Sequence, residues 1–321
     1  GDVYKRQQLH HLLATLILRV AASSSWPSAS ILDNIKKMND MRQTITILFM
    51  FIVAMATIAQ QKADIEVSYT AHHPNLRNGK DDVTNQYILL AGGDDSKFFS
   101  PRTEYIDSLN STPDGQSKYQ EITRNSYLGG KMKDIPRADG SFYVVKSGQR
   151  NALTYYDKVG TEKYYYEEEI PKIEWMVGDS TKTILGYECF DATTDFHGRK
   201  WTVWFTPEIP MIAGPWKLSG VPGLILEAIA EGGQYRFVAD GIQQTDKLIT
   251  PVYLANEYEK TDRIKFLKAQ RSFNDNPIGS INAQFAGQGI SIGRVKNENG
   301  EDVGDRLFVP RETVDFIETD Y

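Results

Sequence analysis

Beyond the first 59 positions histidine is scarce, and only His72, His73 and His197 supply it. His72-His73 closes an alternating segment that begins at Ile65 and is followed by Pro74, with Asp81 and Asp82 a short way on. Neighbouring side chains on an extended strand point to opposite faces, so the two imidazoles cannot share one metal without a bend. Metal binding would draw on Asp81 or Asp82, with a solvated loop as the competing reading, and His72 or His73 beside Asp81 would make an acid–base pair for hydrolysis. His197, in Phe196-His197-Gly198, reads as a turn residue.

The other reactive types point away from catalysis. Glu167-Glu168-Glu169 follows Tyr164-Tyr165-Tyr166, and only the first and third of these carboxylates share a strand face. A working carboxylate pair needs two groups in distinct environments facing one site, so the run reads as a solvated edge that discourages sheet-to-sheet pairing. Cys189 is the single cysteine, which rules out an intramolecular disulfide, and it reads as a buried, inert thiol. Ser219 in Leu218-Ser219-Gly220 lacks the upstream glycine of a nucleophile elbow. GxxxxGK[ST], HExxH and CxxC are absent. No catalytic residue, metal site or cofactor is assigned on this basis. Tyr155, Trp175, Trp201, Trp204 and Trp216 form a candidate ligand groove, with aromatic β core as the alternative.

The elements that would position these residues are mainly β. Strands are expected over 65–69, 87–90, 98–99, 142–145, 153–156, 164–170 and 173–177. A hairpin is expected with arms 183–195 and 199–205, and a second with arms 224–229 and 234–239. Short helices are expected over Pro101–Leu109 and, behind Thr261 as N-cap, from Asp262 to about Phe273. Residues 110–140 read as a long loop. The Gly- and Asn-rich tail from 276 carries apolar pieces at 290–295 and 307–309. The expected fold is one antiparallel, curved sheet or half-barrel with one or two short helices, with a β-sandwich as the alternative.

At the front of the chain, Asp2-Val3-Tyr4-Lys5-Arg6-Gln7 matches the translation of a transposon-end adapter used in sequencing libraries. Residues 1–40 are accordingly read as adapter and upstream translation. A signal peptide is expected over 41–59, starting at Met41 or Met38, with Arg42 as its basic end and Ile45–Ile58 as its apolar stretch. Cleavage is expected after Ala59. The expected domains are then a β domain over 60–275 and a partly ordered tail over 276–321. Residues 1–59 hold six Lys/Arg and three Asp/Glu, so their removal takes the net charge from −6 to −9. Such an acidic chain would be repelled by a phosphate backbone, which excludes nucleic acid as a partner.

Residues 183–227 resemble the GLPGLI family of exported bacterial proteins, also called the Porph_ging domain. The likeness rests on Gly220-Val221-Pro222-Gly223-Leu224-Ile225, with Val where the family has Leu, together with Gly214-Pro215-Trp216-Lys217 and the preceding Trp201-Thr202-Val203-Trp204-Phe205-Thr206. The resemblance implies an envelope protein of a Gram-negative bacterium, periplasmic or associated with the outer membrane, and brings no established activity. It marks Gly214, Pro215, Lys217, Gly220, Pro222, Gly223, Leu224 and Ile225 as a structural segment or partner surface. The functional expectation is non-enzymatic binding of an apolar or peptidic ligand, or of an outer-membrane transporter or other envelope protein, on a curved sheet similar to periplasmic lipoprotein carriers. A hydrolase with an unrecognised His/carboxylate site and a structural module of an envelope assembly are the alternatives.

Overall fold

A computed structural model describes residues 61–75, 82–285 and 315–321. The expected leader, the segment before it and the tail pieces at 290–295 and 307–309 lie outside the described residues. The strands are β1 (Ile65–Pro74), β2 (Asp82–Gly92), β3 (Asp95–Phe99), β4 (Tyr143–Ser147), β5 (Ala152–Val159) and β6 (Glu162–Glu169). They continue as β7 (Met176–Ile184), β8 (Tyr187–Phe196), β9 (Arg199–Thr206), β10 (Leu224–Ala230), β11 (Arg236–Gln244) and β12 (Glu259–Lys260). All twelve lie in one sheet, ordered β12-β6-β5-β4-β3-β2-β1-β11-β10-β9-β8-β7. It is open and mixed, because β12 alone pairs in parallel. The mainly β expectation holds, and the single sheet sets aside the sandwich.

The order of strands forces the curvature. β6 and β7 stand ten places apart in the sheet, yet residues 170–175 join them. At about 4.8 Å per strand a flat sheet would separate them by about 48 Å, whereas that link reaches at most about 25 Å. The sheet must therefore curl, and Ile170, Ile173 and Trp175 of the link pack against the core inside the curl. The period of two aims Val67, Tyr69 and Ala71 of β1, Tyr87 and Leu89 of β2, and Trp201 and Val203 of β9 into this inner core. Leu90, Phe99, Tyr143 and Val252 form a smaller cluster on the outer face.

Two connections have special backbone. The β8–β9 hairpin turns on His197 (φ 51°) and Gly198 (φ 77°), the paired positive values of a tight two-residue turn. The crossover 207–223 leaves β9 and returns as its neighbour β10, filling the inside of the curl with Trp216, Leu218 and Val221, all at most 1% exposed. Gly223 (φ 148°) lies so close to β9 that a Cβ there would sit 2.1 Å from the Thr206 carbonyl oxygen.

Four helices occur among the described residues: α1 (Pro101–Asn110), α2 (Pro113–Leu128), α3 (Arg263–Asp275) and α4 (Pro277–Phe285). The loop expected over 110–140 is largely α2. Thr112 caps it by accepting from the Gly115 amide, and Pro113 occupies its first turn. It buries no residue, so its sequence lacks the apolar stripe that announces a packed helix. The cap of α3 is Asp262 rather than Thr261: its side chain accepts from the Lys265 amide at 2.8 Å.

Candidate functional site

The inner face of the sheet holds a cavity of about 590 Å³ beside the packed core. Strand parity builds its floor. His73 continues the inward face of β1, Asn85 and Tyr87 come from β2, Tyr155 and Asp157 from β5, and Phe237 from β11. One wall is the loop Asp139–Ser141, pinned where the Thr103 hydroxyl of α1 donates to the Gly140 carbonyl (2.7 Å) and Ser100 donates to Asp139 (2.5 Å). Gly140 (φ 62°) is required there, since a Cβ would come within 2.3 Å of the Tyr87 hydroxyl. The opposite wall is Phe316 and Ile317, from the segment 315–321.

Two titratable groups in the cavity are shifted by burial. Burial pushes the Asp157 carboxyl up, against the hydrogen bonds it accepts from Ser141, the Lys158 amide (2.8 Å) and the Tyr155 hydroxyl (3.1 Å). Burial also lowers His73, so its neutral form is favoured. His73 Nδ1 donates to the Pro74 carbonyl (2.9 Å), which leaves Nε2 to accept from the Asn85 amide (2.9 Å) and fixes the tautomer. The ring stacks on Tyr235 at 6.4 Å. The rings of Tyr87, Phe142 and Tyr155 stack in series, at 4.8 and 5.7 Å between centroids. The cavity thus combines apolar ring faces with an amide, an imidazole and a carboxyl of raised pKa.

Beside it lies a buried ion cluster. Glu318, 1% exposed, receives Lys217 Nζ at 2.9 Å and Arg263 Nε at 2.6 Å. Arg263 also binds Asp320 and donates to His197 Nδ1 at 2.7 Å, while Lys217 reaches Glu168 at 2.8 Å. Burial works to raise the Glu318 carboxyl, but the charges of Lys217 and Arg263 hold it below its ordinary range. His197, Glu318 and Asp320 offer ligand atoms within 4.8 Å of one another. Lys217 and Arg263 already neutralise those carboxylates, so the group is an ion-pair cluster.

The sequence-predicted residues divide between these places. His72 and His73 both border the cavity, and the carboxylates that share it are Asp139 and Asp157. Asp81 lies outside the described residues. Of the aromatic groove set, Tyr155 lines the cavity. Trp201 and Trp216 are core residues, 0% and 1% exposed, and they pack on each other at 5.5 Å. Trp175 spans the interior to donate to the Ser219 carbonyl (3.0 Å), and Trp204 lies half-buried under the Lys182 ammonium at 4.2 Å. Within the marked segment Gly214, Pro215, Lys217, Gly223, Leu224 and Ile225 are buried, and Gly220 and Pro222 are exposed. Glu168 leaves the expected solvated edge to pair with Lys217. Cys189 is buried and free, with its thiol raised by burial. Asp157 and Asn85 were missed by sequence reasoning. The signal was parity: each is a polar residue at an inward position of a strand whose other inward residues are apolar.

A family model described as N-glycanase peptide, N-terminal domain matches residues 144–267, from within β4 to within α3. No curated protein matches the chain. Similar solved structures include PNGF-II in a P21 crystal form, at 17% identity and TM-score 0.42, covering 64% of this chain and 33% of that one. PNGF-II in a C2 form stands at 15% identity and TM-score 0.43, covering 66% and 33%. MucB in complex with MucA(peri) stands at 10% identity and TM-score 0.24, covering 58% and 51%. The chain therefore spans about a third of the length of the PNGF-II proteins. The family match overturns the GLPGLI resemblance, whose residues 183–227 fall inside the matched span. It also turns the functional expectation from non-enzymatic envelope binding toward a hydrolase, the alternative read from the His/carboxylate pairing.

Proposed function

We propose that this chain works as a domain of an N-glycanase-type hydrolase, and that its inner-face cavity engages the N-glycosylated peptide. The observation that carries the reading is the cavity's composition. Sugar rings present apolar C–H faces ringed by hydroxyls, and the stacked rings of Tyr87, Phe142 and Tyr155 offer flat apolar contact beside Asn85, Asp139 and Asp157. Its volume of about 590 Å³ suits a few sugar units with their attached residue. The matching family model supports the hydrolase class.

The raised carboxyl of Asp157 favours a direct chemical role within that reading. Burial strengthens the hold of Asp157 on its proton, and a carboxyl shifted this way can pass that proton to a leaving nitrogen as water bonds to the carbon the nitrogen leaves, while His73 holds Asn85 in place. The test is calorimetric titration with an asparagine-linked glycopeptide, alongside mass-spectrometric detection of released glycan. Asp157→Asn and Tyr155→Ala are expected to weaken binding by about tenfold or more. Glycan release lost in Asp157→Asn assigns it the proton donor; unchanged affinity in both variants refutes the cavity as the site.

A further inference from the structure

The segment Asp315–Tyr321 lies against the cavity without belonging to the sheet. Phe316, 3% exposed, and Ile317 face the cavity, and the Arg271 guanidinium covers the Phe316 ring at 4.6 Å. Its backbone is held from several elements. Arg199 Nε of β9 donates to the Ile317 carbonyl (3.0 Å), and the Tyr235 hydroxyl donates to the Asp315 carbonyl (2.7 Å). The Thr319 amide donates to the His197 carbonyl (3.1 Å) in the β8–β9 turn. Glu318 then drives its carboxylate inward to Lys217 and Arg263. Outward-facing contacts alone would tie the segment to the surface, whereas this buried carboxylate fixes its depth.

We infer that residues 315–321 form the specificity-determining wall of the cavity, with Phe316 setting its width and Glu318 acting as the positioning residue that seats the wall. The inference rests on the reading that the cavity takes an N-glycosylated peptide. Phe316 is rigid and large, so it limits how far a branched sugar extends past Tyr235. Loss of the Glu318 charge leaves Lys217 with Glu168 alone and Arg263 with Asp320, and the wall becomes free to draw back.

The test compares two labelled glycopeptides with the same peptide, one carrying a disaccharide and one a branched oligosaccharide, by fluorescence polarisation. Phe316→Ala is expected to move the affinity ratio toward the branched probe by about fivefold, and Phe316→Leu by less. Glu318→Gln is expected to move it the same way. Asp320→Asn, which changes the contacts to Arg263 and His197 at the outer end of the segment and leaves Glu318 in place, serves as the variant that keeps the fold intact. Hydrogen exchange of residues 316–321 is expected to quicken by about tenfold in Asp320→Asn and Glu318→Gln, with β9 and α3 unchanged. Equal changes for both probes, or no change in Phe316→Ala, overturn the inference. So does exchange that quickens throughout the sheet, because the segment would then be part of the core. If the wild-type protein binds neither probe, the functional reading falls instead, and exchange alone decides whether Glu318 seats the wall.

Discussion

The Lys146 ammonium nitrogen lies 2.9 Å from the Ser219 hydroxyl oxygen and also donates to the Lys217 carbonyl at 3.2 Å. This contact ties β4 to the interior crossover, and it places a lysine where water does not reach. Burial, helped by the charge of Lys217, brings Lys146 down to about 7. The unfolded chain titrates this lysine at its ordinary 10.5. Below pH 7 both states carry the proton and the full cost of burying the charge is present. Between about 7 and 10.5 the unfolded chain binds the proton and the folded one does not. Stability from this group therefore rises with pH, by about 1.4 kcal/mol per unit. Lys146→Met is expected to exceed wild type most at pH 6 and progressively less toward pH 9 in urea unfolding. A difference that stays constant over that window would contradict the assignment.

Gly223 and Gly220 look equivalent in sequence and are not. A Cβ on Gly223 meets the backbone of Thr206 at 2.1 Å, and β9 and β10 must separate to admit it. At Gly220 (φ 101°) the nearest atom is the Trp175 side-chain nitrogen at 3.4 Å, so backbone conformation is the main cost. Gly223→Ala is expected to destabilise by about 3 kcal/mol or more, and Gly220→Ala by about 1–2 kcal/mol. Thermal unfolding of the two variants side by side checks the order, and equal losses would contradict it.

The sheet was legible because strands carry their own pattern. The alternation of Val67, Tyr69 and Ala71, and of Trp201, Val203 and Phe205, marks faces whatever the partner strand is. The pairing of β1 with β11, which makes one sheet from two runs of strands, has no local signal and follows only from packing. Apolar residues in a Gly/Pro-rich run mark Trp216 and Leu218 as interior, against the groove reading of Trp216. The cavity was readable only in part. His72, His73 and Tyr155 stood out by type, whereas Phe316 and Ile317 arrive from a distant segment that no spacing connects to them.

α2 shows how a cap can outweigh a missing apolar face. Thr112 accepts from the Gly115 amide at 3.1 Å, and no residue of the helix is buried. Thr112→Ala is expected to remove about 1 kcal/mol from the helix alone. Amide exchange over residues 113–128 is expected to quicken while that of β1 and β2 stays as in wild type. A loss of global stability of the same size would show that α2 is coupled to the sheet.

Glu227 on β10 is 2% exposed and lies between Lys182 and Arg236, which meets it at 2.5 Å. Burial works to raise its carboxyl, but the hydrogen bonds and charges of these two partners bring it below the ordinary 4.5. The folded chain therefore holds this proton less readily than the unfolded one. The associated stability is complete above pH 4.5 and is lost as pH falls through the lower, folded value. Glu227→Gln keeps the shape and deletes the charge, leaving Lys182 over the Trp204 ring and Arg236 half-exposed. It is expected to cost about 1–3 kcal/mol at pH 7, since both cations retain some water. The gap from wild type is expected to narrow as pH falls below 4.5 and the folded carboxyl takes up its proton. Urea unfolding at pH 7, 4 and 2 measures it. A gap undiminished at the lowest pH would assign the loss to packing and remove the ion pair from the account.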